Sequence, residues 1–240
     1  MTEATTTTTH TVKAYDEELS QLVNIIARMG GQAEAQITSA MTAVVKRDSD
    51  LAGRVIANDA KVDELENEVH KLVVRLLALR QPVAIDLRTI VVALKISSDI
   101  ERIADYAANV AKRAIILNQI PPVPPVGAVP RMGHLAQGII RDVLDAYVER
   151  DKRKAIDVWN RDEEIDDAYN SLFRELVTYM LEDPRNITAC THLMFVAKNI
   201  ERIGDHATNI AESIYFLIEG TQLVGRRKGD TTNTLLTEPR

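Results

Sequence analysis

The chain has 240 residues, of which 45% are hydrophobic, 27% charged and only 4% aromatic, with few glycines. That balance describes a water-soluble chain richer in helix formers than in strand formers. Its 35 acidic residues outnumber 29 lysines and arginines, giving a formal charge of −6, which argues against a protein that grips nucleic-acid phosphates.

The first ten residues, MTEATTTTTH, have no apolar stretch and no cleavage signature, so residues 1–11 read as a disordered tail rather than a signal peptide. Prolines partition the rest of the chain. Pro82 and Pro184 each interrupt a helical pattern, and five prolines between 121 and 130 make residues 119–130 a stiff linker. The uncharged run from Ala114 to Pro130 has the length of a short membrane span, but those prolines exclude a spanning helix.

Six long helical segments are expected: 12–47, 50–80 and 84–118 before the linker, then 131–150, 152–182 and 186–219. The second shows the period plainly. Val55, Val62, Leu65, Val69, Leu72, Leu76 and Leu79 advance by threes, fours or sevens and draw one apolar seam of the kind that packs in bundles.

The expected fold class is all-α, with two tandem, similar three-helix bundles at 12–118 and 131–219 and a flexible tail over 220–240. The reason is an internal duplication. IERIADYAANVAK at 100–112 returns as IERIGDHATNIAE at 200–212, with eight of thirteen letters identical. The middle helices match too. Arg47, Asp48, Val55, Asp59, Val62 and Asp63 reappear 103 residues on as Arg150, Asp151, Val158, Asp162, Ile165 and Asp166.

Both copies keep acids four apart. Glu101, Asp105 and Asn109 share one stripe of a helix, as do Glu201, Asp205 and Asn209. Asp59 with Asp63, and Asp162 with Asp166, do the same on the middle helices. Like charges at this spacing cost about 0.2–0.5 kcal/mol per pair, so a scaffold without a ligand would tend to pair them with Lys or Arg. Antiparallel packing of the middle and third helices would converge four carboxylates in each half. Such a patch calls for basic residues, for protonation, or for a hard cation such as Mg²⁺, Mn²⁺, Ca²⁺ or iron.

Enzyme motifs are missing. The residues three before each histidine are Thr7, Asn67, Arg131, Ala189 and Ile203, so no Glu-x-x-His di-iron pattern exists. Neither a phosphate-cradling Gly-rich loop nor His-Glu-x-x-His appears. Cys190, the lone cysteine, reads as a small packed residue. His206 reads as a local surface residue, because its counterpart is Tyr106, while His70, His134 and His192 share no spacing.

With the Gln-Pro-x-x-x-Asp-Leu-Arg stretch at 81–88 and the Glu-Asp-Pro-Arg stretch at 182–185, these repeats resemble the PhoU family over residues 12–219, nearest to its actinobacterial PhoY-like branch. The resemblance implies a cytoplasmic negative regulator of the phosphate-starvation response that modulates phosphate uptake. It implies two partners, the ATPase subunit of the phosphate-specific ABC transporter and a sensor histidine kinase, with membrane contact only through them. It also implies a homodimer, and iron or zinc held by Asp/Glu-x-x-x-Asp motifs. The matching positions are Asp59, Asp63, Glu101, Asp105, Asp162, Asp166, Glu201 and Asp205, with Asn109 and Asn209 as additional candidate ligands. One departure stands out: Ala104 replaces the family's commoner glycine, which Gly204 keeps. A metal-dependent hydrolase or oxidase using the same acids is the rival reading.

Overall fold

The computed structural model describes residues 3–223, with side chains described from Tyr15 onward except at residues 125–126. Among the described residues seven α-helices run in order: α1 (Glu3–Lys46), α2 (Ser49–Arg80), α3 (Ala84–Leu117), α4 (Val129–Glu149), α5 (Lys152–Asn160), α6 (Asp162–Glu182) and α7 (Ile187–Glu219). Short 3-10 turns occupy Pro124–Ala128 and Pro184–Asn186, and no strand occurs among the described residues. The chain is therefore all-α with six long helices in two repeats. The helix α1 takes in residues 3–11 of the expected N-terminal tail. Residues 1–2 and, in the expected C-terminal tail, everything after 223 lie outside the described residues.

The duplicated Arg-Asp pair makes the same corner twice. Arg47 (φ 54°) and Arg150 (φ 53°) adopt the left-handed conformation just past α1 and α4. The next amide, of Asp48 or Asp151, reaches back to the Ala43 or Ala146 carbonyl at 3.0 and 2.9 Å, closing the outgoing helix. The same aspartate then caps the incoming one, Asp48 Oδ1 accepting from Leu51 N and Asp151 Oδ1 from Arg153 N, both at 2.8 Å.

One expected helix, 152–182, is two. Asn160 turns its amide back to the Ile156 carbonyl at 2.9 Å, and Arg161 N divides its bond between Asp157 and Val158 carbonyls. This tightens one turn and starts α6 afresh at Asp162. The equivalent of Asn160 in α2 is Ala57, a strong helix former, and α2 runs through.

The predicted α2 seam is buried except at its last member. Leu79 is 67% exposed, because the final turn points Arg80 rather than Leu79 toward α1, where Arg80 Nε meets Glu18 Oε2 at 2.9 Å. The third helices bury both expected faces, Ile96, Ile100, Ile103, Ala107 and Val110 and their α7 counterparts.

The bundles do more than share a linker. The third helices α3 and α7 pack antiparallel, with Arg113 beside His192 and Asp99 beside His206, and α1 packs antiparallel on α4 through Glu34–Arg141 and Thr38–Gln137. Two glycines at equivalent positions make the α1–α4 crossing close: Leu144 sits on Gly30, and Met41 on Gly133. One continuous apolar core results, with a near two-fold relation between repeats.

Candidate metal-binding carboxylate patches

In the first repeat, α2 and α3 lie antiparallel, and their acidic stripes face each other beside the core seam. Asp59, Glu101 and Asp105 are half-buried while Asp63 is exposed. Loss of hydration raises the Asp59 carboxyl above its usual range, and Asp105 and Asp63 raise it further. Glu101 is pushed up to about 7, first by burial, then by Asp105, with Glu66 and Asp63 adding and Arg102 opposing. Arg102 lies 3.5 Å from Glu101 and 3.2 Å from Asp105, and Lys112 Nζ lies 3.3 Å from the Asn109 amide oxygen. Glu66 joins the patch unannounced. Its signal was present in the sequence, since 59, 63 and 66 continue one helical stripe.

The second repeat repeats the meeting between α6 and α7. Asp166 is pushed up to about 6, first by burial and then by Asp162, Glu201 and Asp205. Lys198 Nζ bonds Glu201 Oε1 at 2.6 Å, and the other oxygen, Oε2, is buried without a hydrogen bond. Close approach here depends on Gly204. A Cβ at that position would stand 2.9 Å from Ile165 Cδ1 and 3.5 Å from Asp162 Oδ1. The first repeat fits Ala104 at the matching place.

The acids of each repeat thus lie within electrostatic reach of one another across two helices, Asp59 feeling Asp63 and Asp105, Glu101 feeling Asp63 and Asp105, and Asp166 feeling Asp162, Glu201 and Asp205. Among the described residues no group of three or more carboxylate, imidazole or thiolate side chains is arranged to hold a metal ion. The donor atoms are the oxygens a hard cation takes: burial first, and neighbouring acids second, raise Asp59, Glu101 and Asp166, and Glu201 keeps one buried carboxylate oxygen with no donor. Asn109 and Asn209 sit one turn beyond Asp105 and Asp205, on the same stripes.

His206 corrects its sequence reading. It is not a local surface residue: its side chain is 22% exposed and faces across the α3–α7 seam, Nδ1 lying 2.8 Å from Asp99 Oδ1. Tyr106 lies against it, ring centroids 5.6 Å apart. Sequence reasoning missed Asp99 because its counterpart is Asn199, so the duplication filter that found the eight acids discarded it. Cys190 is fully buried, and burial pushes its thiol up. No helix among the described residues is long and apolar enough to cross a membrane.

The PhoU domain model matches the chain twice, over residues 26–114 and 129–214, one match per repeat. The chain belongs to the PhoU family. Its relatives include the phosphate-specific transport system accessory protein PhoU homolog of Caulobacter vibrioides (strain NA1000 / CB15N), 53% identical over 92% of this chain and 96% of the relative. The homolog so named from Zymomonas mobilis is 48% identical over 92% and 93%. Among solved structures, PhoU from Pseudomonas aeruginosa superposes with a TM-score of 0.84 at 38% identity, covering 86% of this chain and 100% of that one. The phosphate transport system regulatory protein PhoU from Streptococcus pneumoniae gives 0.80 at 27% identity, over 88% and 99%.

Proposed function

We propose that this PhoU-family chain is a cytoplasmic regulatory adaptor, not a catalyst, which restrains the phosphate-starvation response and modulates phosphate uptake. In this reading it joins the ATPase subunit of a phosphate-specific ABC transporter to a sensor histidine kinase, as a homodimer, and reaches the membrane only through those partners. The relatives' names, phosphate-specific transport system accessory protein, support the transporter half. The observation that carries the reading on this chain's own residues is the pair of carboxylate clusters. Asp59 and Asp63 meet Glu101 and Asp105 in one repeat, and Asp162 and Asp166 meet Glu201 and Asp205 in the other.

Those residues, with Asn109 and Asn209 beside them, would hold divalent or trivalent ions, iron or zinc by kinship and Mg²⁺ or Mn²⁺ by ligand chemistry. A bound cation would add to the positive charge that Arg102 and Lys198 bring to the two clusters, tying α2 to α3 and α6 to α7. The chain's own part is to hold the carboxylates close enough that neutralisation is favourable.

Two measurements test this. Metal content by mass spectrometry, on protein purified without chelator, should exceed that of a Glu101→Ala/Asp105→Ala/Glu201→Ala/Asp205→Ala variant; background levels in both would end the metal half. Pull-downs from phosphate-rich and phosphate-starved cells should recover the ATPase subunit and the kinase, more in phosphate-rich cells. Recovery of neither would end the adaptor half.

A further inference from the structure

Among the described residues the densest run of exposed large apolar side chains lies at one place, while others such as Val45, Val148 and Phe195 are scattered. Val74 (66% exposed), Leu77, Val83, Leu87, Val91 and Leu94 all lie where α2 turns into α3. They extend the acidic stripes already described. On α2 the line Asp59, Asp63, Glu66, His70, Val74, Leu77 advances three or four residues at a time. On α3 the line Asp105, Glu101, Ser98, Leu94, Val91, Leu87 does so in reverse. Because the helices are antiparallel, the two lines run side by side on the outer face, acidic at one end and apolar at the other. Val91 also lines the cleft toward α7 beside Lys95 and Phe216.

The second repeat has the same face on α6 and α7 and completes it from within. Lys198 Nζ is 2.6 Å from Glu201 Oε1 and 5.4 Å from the centre of the Tyr169 ring, so one basic side chain bridges the acidic and apolar ends. The position equivalent to Lys198 in the first repeat is Ser98, which is exposed and brings no charge. There Glu101 is left with Arg102, at 3.5 Å and more than half exposed. The chain itself shows which chemistry complements this face, and in the first repeat it supplies that chemistry only from the more exposed Arg102, which is shared between Glu101 and Asp105.

We infer that the α2–α3 face of the first repeat docks an amphipathic helix of a partner protein. Its apolar residues lie on Val74, Leu77, Leu87, Val91 and Leu94, and a lysine or arginine one or two turns further on reaches Glu66 and Glu101. This is helix-in-groove recognition, in which apolar anchors give affinity and the charge fixes direction. The inference takes from the adaptor reading only that a partner exists, and it does not depend on metal.

The test uses the full chain in chelator and a labelled synthetic helical peptide, with leucines at i, i+3 and i+7 followed by two lysines, read by fluorescence anisotropy. The intact chain should bind it. Leu87→Ser/Val91→Ser and, separately, Ser98→Lys should each weaken binding by about tenfold or more, the size of losing one anchor. Phe173→Ser, in the second repeat, should leave it unchanged. All these side chains are exposed, so circular dichroism should show native helix content in every variant. Equal affinity for a peptide carrying glutamates in place of the lysines would overturn the inference. So would unchanged binding by both first-repeat variants, or an apolar variant that merely converts a dimer to monomer, since the face would then be a contact between copies of this chain. Metal content, measured separately on the same variants purified without chelator, keeps a failure here distinct from a failure of the carboxylate clusters to hold an ion.

Discussion

Asp99 Oδ1 and His206 Nδ1 lie 2.8 Å apart where α3 crosses α7, and the second oxygen of Asp99 is buried with no partner at all. A carboxylate so placed leans on a single imidazole. Replacing His206 with Ala removes that donor and leaves both oxygens of Asp99 without one, a penalty of about 2 kcal/mol by the usual cost of an unsatisfied buried group. Replacing Asp99 with Asn should cost less, because an amide has no charge to strand. Denaturant unfolding of His206→Ala, Asp99→Asn and the double variant tests this. If the double variant lost the sum of the two single losses, the residues would not be coupled.

Stability of the metal-free protein should fall as pH rises from about 4 to about 7. Glu101 moves from an ordinary 4.5 to about 7 in the fold, and Asp166 from 3.8 to about 6. Between its two values each folded carboxyl holds a proton that the unfolded chain has released. The folded state therefore binds more protons in that window, and stability declines through it as pH rises. Glu101→Gln and Asp166→Asn should flatten the decline and raise the melting temperature most above pH 7. Melting curves from about pH 4 to about pH 8 in chelator read this directly, and an unchanged slope in both variants would refute the crowding of the acids.

Metal should reverse that weakness. If the clusters bind cations in the fold but not in the unfolded chain, adding Mn²⁺ or Zn²⁺ at neutral pH raises the melting temperature in proportion to the logarithm of free metal, and chelator restores the original value. The gain should persist at half strength when one cluster is disabled, by Asp59→Asn/Glu101→Gln or by Asp166→Asn/Glu201→Gln, and vanish when both are. A gain that survives both pairs would place the metal elsewhere.

The legible part of the sequence is the part the duplication wrote twice. Asp59 and Glu101 could be put face to face because each has a counterpart, Asp162 and Glu201, at the same step of a helical stripe, and antiparallel neighbours leave little freedom in how stripes meet. The contacts between repeats carried no such signal. Gly30 and Gly133 look like weak points in helices until a second helix is laid on them. Asp99 and His206 are unlike their counterparts Asn199 and Tyr106, so comparing the repeats hides them. The break at Arg161 turns on Asn160 bonding its own helix, a local competition that the apolar periodicity on either side overrides in any reading by pattern.

The α1–α4 crossing makes a paired prediction. A Cβ at Gly133 would meet Met41 along its length, Cε at 2.6, Cγ at 2.9 and Sδ at 3.1 Å, but that chain is unbranched and can change rotamer, whereas at Gly30 it would press on both methyls and the branch carbon of Leu144. Gly133→Ala should be close to neutral, because Met41 can swing aside and alanine gains about 1 kcal/mol of helix propensity over glycine. Gly30→Ala should lose about 1–3 kcal/mol from overpacking, less that same gain. Equal stability of the two variants would mean the helices slide apart rather than hold their register.

Gly204 separates the two clusters experimentally. Its backbone lies under Ile165 and beside Asp162 Oδ1, while Ala104 in the other repeat already carries the methyl group. Gly204→Ala forces Ile165 Cδ1 from 2.9 Å to an ordinary contact, so the start of α6 must shift by a few tenths of an ångström. The stability loss should be about 1 kcal/mol, since the obstructing atom is a side-chain end. The shift carries Asp162 and Asp166 away from Glu201 and Asp205, so like-charge crowding in the second cluster relaxes and the raised pKa of Asp166 falls toward its usual range. Glu101, on the far side of the seam, should not respond. Carboxyl titrations followed by NMR on Gly204→Ala would decide it: movement at Glu101, or none at Asp166, would show that the glycine does not set the spacing of its cluster.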